Sequence, residues 1–318
     1  MSLRRWSSVS RHIVLGVAIE LTAVSLVLSW QFGFGVWMSL MLSVVLMLAM
    51  RCLLPVLSFF TAWWLRPEGG QRVTLSMRQF SVMVVREIGA SMKLFLYCHP
   101  FEAYLNAHDA APPAAQQWEN PVLFVHGFYT NAGFWLQYKR YFRDHGIDAL
   151  YTINLDPPFC DIDQYADQLA HRIMEVCAHA GRERVVLVAH SMGGLVCRAC
   201  LARYGDQHVQ QLITIGTPHH GTVFAHLLPG PNMRQMRPGN AWLEHLNNRQ
   251  KALSISNLFS LHDNIVVPPE SARVFGAKEL IFNGTGHMSM AFSTGMQHAI
   301  VGDLITPNSD KIRSRGQG

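Results

Sequence analysis

Val185-Val186-Leu187-Val188-Ala189-His190-Ser191-Met192-Gly193-Gly194-Leu195-Val196-Cys197-Arg198-Ala199-Cys200 reads as three things in a row. Val185–Val188 is an apolar, β-branched run short enough for a buried strand. A bend follows with Ser191 at its tip, and from Leu195 the pattern turns helical. A bend between strand and helix strains the serine backbone, so the residues two before and two after it must be small. Gly193 meets that need, and Ala189 meets it with a single methyl. The first turn of the helix aims backbone N–H groups at any negative charge developing beside the serine.

Outward from this bend, strands and helices alternate. Pro121–Val125 predicts a strand ending in His126-Gly127-Phe128, followed by a helix over 134–144 and a strand over 149–154. A helix over 161–180 has Asp161 or Asp163 as its N-cap. Further strands are expected over 211–215, 254–260 and 279–282, and a last helix over 291–305. The rhythm predicts a mainly parallel sheet covered by helices on both faces, with reactive groups at the carboxyl ends of strands.

Four of those ends carry chemistry. Gly127 lets the backbone approach the serine, so that the Phe128 N–H pairs with the Met192 N–H as oxyanion donors. Asp263 lies in Leu261-His262-Asp263-Asn264-Ile265, and His287 in the loop Gly284-Thr285-Gly286-His287-Met288. The chain order Ser191, Asp263, His287 suits a nucleophile, acid and base on this architecture. Asp156 and Glu270 are rival acids and His298 a rival base. His126 and His190 are expected to shape their turns through local hydrogen bonds. His219 and His220 are expected to pack below the bend rather than bind metal.

Taken together, Val-His-Gly-Phe (125–128), Ala-His-Ser-Met-Gly-Gly (189–194), Gly-Thr-Pro-His-His-Gly-Thr (216–222), Asp263 and Gly-His-Met (286–288) resemble the α/β-hydrolase superfamily. Within it the chain is similar to small bacterial triacylglycerol lipases and esterases, over about residues 120–305. The resemblance implies an α/β-hydrolase fold in which Ser191 attacks an ester carbonyl. His287 then moves the proton, Asp263 orients His287, and Phe128 and Met192 hold the oxyanion. His126, Gly127, Ala189, His190 and Gly193 support these groups, and no cofactor is implied. Calcium-dependent relatives carry a carboxylate soon after the histidine. Here Met288, Ser289 and Met290 follow, so no such metal site is expected. Thr222–Gln250 mixes large apolar residues with Pro and Gly breakers, as an apolar cap or a plain long loop would.

The N-terminal region has a different character. Residues 13–30 and 32–50 are apolar runs near the lower limit for a bilayer-spanning helix, joined by the glycine-bearing 31–35. This predicts a transmembrane helical hairpin, with Trp6, Trp30, Trp37, Trp63 and Trp64 near the interfaces. Glu20 has no evident partner and is read as hairpin-facing or snorkelling. The apolar run 52–65 contains Pro55 and is read as interfacial or re-entrant. Arg4, Arg5 and Arg11 precede the first run, and Arg51, Arg66, Arg72, Arg78 and Arg86 follow the second, while the connecting turn has no Lys or Arg. By the positive-inside rule the remainder of the chain is cytoplasmic, which makes this a multi-pass protein of, by the resemblance, a bacterial inner membrane.

The expected organisation is therefore an anchor (1–66), a connector (67–120) and a hydrolase domain (121–306), with a polar tail (307–318). Within the connector, 76–97 is either a basic amphipathic helix lying on the membrane or the first strands of the next domain, and 110–117 is a linker. Charged residues make up only 15% of the chain, and the net charge of +5 comes without an aromatic-interleaved basic stripe, which argues against nucleic acid. Six cysteines lack disulfide-framework spacing, and Cys197-x-x-Cys200 lacks a second metal-binding pair. The expected partners are the bilayer and a lipid or acyl ester, with oligomeric state open. The expected activity is ester hydrolysis. Thioester hydrolysis, acyl transfer and a non-catalytic membrane scaffold are the alternatives.

Overall fold

The computed structural model describes residues 6–66, 73–106, 118, 120–248 and 254–305. The expected linker 110–117 and tail 307–318, with Arg4, Arg5 and Arg72, lie outside these residues.

Six parallel strands form one sheet: β1 (Val122–Val125), β2 (Leu150–Ile153), β3 (Val185–His190), β4 (Val209–Ile215), β5 (Ile255–Ser260) and β6 (Lys278–Phe282). Their order is β2-β1-β3-β4-β5-β6. The chain winds outward from β1 to β2, then crosses back to β3 and proceeds the other way. The winding reverses between β1 and β3, which is where an open parallel sheet leaves a crevice beyond its carboxyl ends.

The central strands are apolar on both faces because both are covered. In β1, Val122 and Phe124 join one core cluster while Leu123 and Val125 join another, following the two-residue period of a strand. One layer packs Phe134, Tyr138 and Phe142 with Met296 and Ile300, from a short 3₁₀ turn (Ala132–Trp135) and two helices, residues 136–144 and 294–305. The other packs Ile162, Leu169 and Ile173 from residues 162–180 with Leu195 and Val196 from residues 192–204. Asp161 caps the 162–180 helix by accepting from the Asp163 N–H at 2.8 Å.

Two long helices precede this body: α1 (Ser8–Phe32) and α2 (Val36–Trp64), with Gly33 at φ 68° in the turn between them. Here two expectations are corrected. The run 52–65 is not a separate re-entrant segment but the continuation of α2, which passes through Pro55 without a break. At 1.5 Å per residue its 29 residues extend about 44 Å, and its later turns pack on the domain. Glu20 is not alone: Arg51, counted above as a flanking residue, lies inside α2 and grips it with two hydrogen bonds of 3.0 and 2.7 Å.

The connector contributes a helix rather than strands. α3 (Met77–Lys93) begins with a reciprocal cap between Ser76 and Gln79 and runs into a π turn, Leu94–Cys98. Leu94 and Cys98 belong to the sheet's own core, so the packed body begins before residue 121.

α1, α2 and α3 all meet the body at one edge. Ser8 N–H donates to Asp156 beyond β2, and the Asn131 amide beyond β1 donates to Ser7 and Ser10. Ser58 of α2 accepts from Asn264 beyond β5, and Glu87 of α3 accepts from Met288 and Ser289 beyond β6. Every one of these loops follows the carboxyl end of a strand. The apolar hairpin therefore stands over the edge of the sheet where the candidate site lies.

Candidate active site

The bend at Ser191 is set by β3 and the helix that follows, α4 (Met192–Tyr204). Ser191 adopts φ 55° and ψ −129°, a conformation that costs on the order of 1–3 kcal/mol for a residue with a side chain. It is held on both sides: its N–H donates to Ile215 O at 2.9 Å and its carbonyl accepts from the Gly194 N–H at 3.0 Å. A Cβ at Gly193 would fall 2.5 Å from His126 O and 2.6 Å from Val125 O, backbone atoms that cannot step aside. Gly127 lies just as close from the β1 side, where a Cβ would sit 2.8 Å from that of Ser191. Ala189 is fully buried, and its methyl fits. Among the described residues, neither the Phe128 nor the Met192 N–H is taken up by a loop or cap hydrogen bond.

Two further loops bring a histidine and an aspartate to the serine. The Ser191 hydroxyl lies 3.0 Å from His287 Nε2, and His287 Nδ1 lies 2.8 Å from Asp263 Oδ2. The other Asp263 oxygen accepts from the Ile265 and Val266 N–H groups at 2.8 and 2.9 Å, which fixes the carboxylate plane. With Nδ1–H donated to Asp263, His287 presents the Nε2 lone pair to the hydroxyl. Burial by itself lowers the pKa of His287. The adjacent Asp263 charge and hydrogen bond, with the Glu87 charge behind them, outweigh burial and raise it above the ordinary histidine value.

The rivals lie elsewhere. Asp156 accepts from Ser8, Glu270 faces Arg66 at 3.6 Å, and His298 faces Tyr141 at 3.4 Å. His126 behaves as expected of a turn residue. Its Nδ1 donates to Gly127 O at 2.9 Å and its Nε2 accepts from the Leu155 N–H at 2.9 Å, tying the ends of β1 and β2 together. Burial pushes its pKa down to about 4, so it stays neutral.

His190 corrects its expectation. Both ring nitrogens lack a hydrogen-bond partner among the described residues; instead the ring stacks on Phe134 at 4.0 Å and lies 4.6 Å from His287. Burial, and then the nearness of His287, drive its pKa far down. A neutral ring here spares His287 a like charge.

His219 is buried between Arg198 at 3.1 Å and Thr214 at 3.3 Å, a packing role behind the bend. His220 faces Asn247 at 3.2 Å. Cys197 and Cys200 are buried free thiols. The 222–250 segment forms two short helices, Pro231–Gln235 and Ala241–Asn248. Asn232 reaches the Met192 sulfur at 3.7 Å, while Met233, Met236, Leu243 and Leu246 sink into the core.

Sequence reasoning missed the groups that hold the histidine loop. Glu87 accepts from the N–H groups of Met288 and Ser289, both at 2.8 Å, and from the Ser289 hydroxyl at 2.5 Å. Burial raises its pKa, while these three donors pull against that and suit an ionised carboxylate. From the other side Asn264 accepts from the His287 N–H at 2.8 Å and donates to Ser58 of α2 at 2.6 Å. The sequence did hold a signal for Glu87. Met83, Glu87, Ala90 and Leu94 form one buried stripe at helical spacing, with a carboxylate inside it.

Comparison with known proteins bears on the fold. The PGAP1-like alpha/beta domain family matches residues 160–268. A triacylglycerol lipase of Burkholderia plantarii is 33% identical over 130 residues, covering 36% of each chain. One of Pseudarthrobacter phenanthrenivorans is 34% identical over 113 residues, covering 33% of this chain and 35% of the relative. The matched stretch thus spans about a third of the length of these relatives. Among solved structures, Aspergillus fumigatus lipase B superposes with a TM-score of 0.54 at 20% identity, over 64% of this chain and 57% of that one. The mature Bacillus licheniformis lipase BlEst2 gives a TM-score of 0.51 at 20% identity, over 60% and 93%. The fold is that of an α/β-hydrolase. The strand order and the helices on both faces of the sheet are those that the resemblance implies. The N-terminal hairpin stands over the carboxyl edge of the sheet.

Proposed function

We propose that this α/β-hydrolase is a membrane-anchored serine hydrolase that cleaves carboxylic esters of acyl chains. The observation that carries the reading is the relay from Asp263 through His287 to Ser191, at 2.8 and 3.0 Å. In the proposed reaction His287 Nε2 takes the Ser191 proton as Oγ attacks the ester carbonyl. The oxyanion is received by the Phe128 and Met192 N–H groups. The tetrahedral intermediate collapses to an acyl-Ser191, and His287 returns the proton to the departing alcohol. Water, deprotonated by the same imidazole, then releases the carboxylic acid and restores Ser191. Similarity to triacylglycerol lipases supports a carboxylic ester as the substrate.

Anchoring is supported by the two long helices, whose mean hydropathies are 2.1 and 2.3. Trp30 and Trp37 are exposed at the tip of the hairpin and Trp63 and Trp64 at its base. Residues 37 and 63 are about 39 Å apart along α2, close to the separation of two interfacial belts. The Glu20–Arg51 pair between them suits an apolar setting, where a charge requires a partner. The arginine asymmetry supports a cytoplasmic catalytic domain, and a C-terminal phosphatase fusion, active only outside the cytoplasm, is expected to stay inactive. The hydrolase reading is tested by labelling detergent-solubilised protein with a small fluorophosphonate. Wild type is expected to label and Ser191→Ala not to; folded wild type that takes no label would overturn the reading.

A further inference from the structure

A cavity of about 580 Å³ lies where the hairpin meets the strand-end loops, a size typical of ligand sites. Ile13 and Gly16 of α1, Leu54 and Pro55 of α2 and Met92 of α3 give it an apolar wall. The opposite wall comes from the hydrolase: Tyr129, Asn264 and Met288. These three are the immediate chain neighbours of Phe128, Asp263 and His287, the oxyanion, acid and base positions. Ser191 itself is only 9% exposed, so little of it meets open solvent directly. Glu20 and Arg51 also line the space, but they neutralise each other through two hydrogen bonds and offer no free charge to a headgroup.

We propose that this cavity holds the acyl chain of a bilayer ester, which enters sideways from the membrane between the hairpin and the hydrolase body and presents its carbonyl to Ser191. The inference rests on the anchored-hydrolase reading and deepens it, because the chain-binding wall is made by the anchor. Apolar walls on α1 and α2 match a hydrocarbon chain, and a chain already in the bilayer leaves it without crossing water. The hairpin is thus both tether and half of the substrate site.

The test is a chain-length series of nitrophenyl esters in detergent micelles, run on full-length protein. Gly16 offers room for a side chain, since an added Cβ there meets no atom within 4 Å. Gly16→Trp and Leu54→Trp are expected to fill the cavity and to lower the ratio of long-chain to short-chain turnover about tenfold or more, the scale on which apolar pockets discriminate methylenes. Leu26→Trp, on the outer surface of α1, is expected to keep the wild-type ratio. Fluorophosphonate labelling of Ser191 reports separately that the nucleophile is intact. Labelled Gly16→Trp and Leu54→Trp proteins with an unchanged ratio would overturn the cavity inference and leave the hydrolase reading standing. Absence of label on wild type overturns the hydrolase reading itself. Should a Trp variant lose its label, Gly16→Leu and Leu54→Phe fill the space more gently and are read in the same way.

Discussion

Ser191 and His287 are held in place by opposite means. Ser191 is fixed by close packing of backbone on backbone: Gly193 against the end of β1, Gly127 against Ser191, and the Ser191 N–H on Ile215. His287 is fixed by polar side chains that arrive from far away, Glu87 from about 200 residues upstream and Asn264 backed by Ser58 of α2. The first device is rigid and local. The second makes the placement of His287 depend on helices of the N-terminal region, so α2 and α3 act as part of the site's framework.

That contrast can be broken from either side. On the nucleophile side, Gly193→Ala forces a methyl against two carbonyl oxygens. It is expected to destabilise the domain by at least about 1–3 kcal/mol and to abolish Ser191 labelling, read by thermal unfolding alongside the fluorophosphonate gel. A variant that labels normally would show the elbow to be far more pliant than its spacing implies.

On the histidine side, Glu87→Gln keeps the shape but cannot accept from all three donors. Turnover is expected to fall between about 10- and 100-fold through misplacement of the base. The pH profile distinguishes positioning from plain loss of structure. In the proposed reaction His287 acts as a base only when neutral, so activity falls as pH drops through its pKa, and the acid limb of kcat/KM in wild type is expected above the ordinary histidine value. Removing the Glu87 charge takes away one group that favours the imidazolium. The acid limb is therefore expected to move to lower pH in Glu87→Gln, and an unmoved limb would reduce Glu87 to a structural prop.

Ser58→Ala removes the outer link of the second tether, leaving Asn264 in place. It is expected to cost about 0.5–1.5 kcal/mol of stability and a few-fold in turnover, measured as the midpoint shift in detergent and the initial rate. His190→Phe is the smallest change. The ring stacks and makes no hydrogen bond, so the variant is expected to stay within about 1.5 kcal/mol of wild type and to retain its labelling. A large loss there would mean that the imidazole nitrogens next to His287 serve a polar function.

Much of this was readable before any coordinates because the features are local. Val185–Gly194 carries strand, bend and helix within ten residues, and a bend that tight leaves few residue types at positions 189 and 193. The parallel sheet followed from strand–helix alternation, since a parallel neighbour requires a crossover. Asp161 was legible as one of two candidate caps, beside Asp163, because capping is decided within one turn, and the structure selects Asp161. The apolar run 52–65 was misread because Pro55 looks like a stop in one dimension. In three dimensions the helix continues past it, with Phe59 buried one turn beyond.

By itself, then, the amino-acid order determined what short-range sterics and periodicity can specify: two apolar helices, an alternating domain, an elbow and the candidate acid and base. Tertiary structure alone decided that Arg51 answers Glu20, that Glu87 grips the histidine loop, and that the hairpin stands over the active edge to enclose a cavity. These are pairings between residues tens to hundreds of positions apart, and a carboxylate reveals its partner only when the fold has brought a donor within hydrogen-bonding distance.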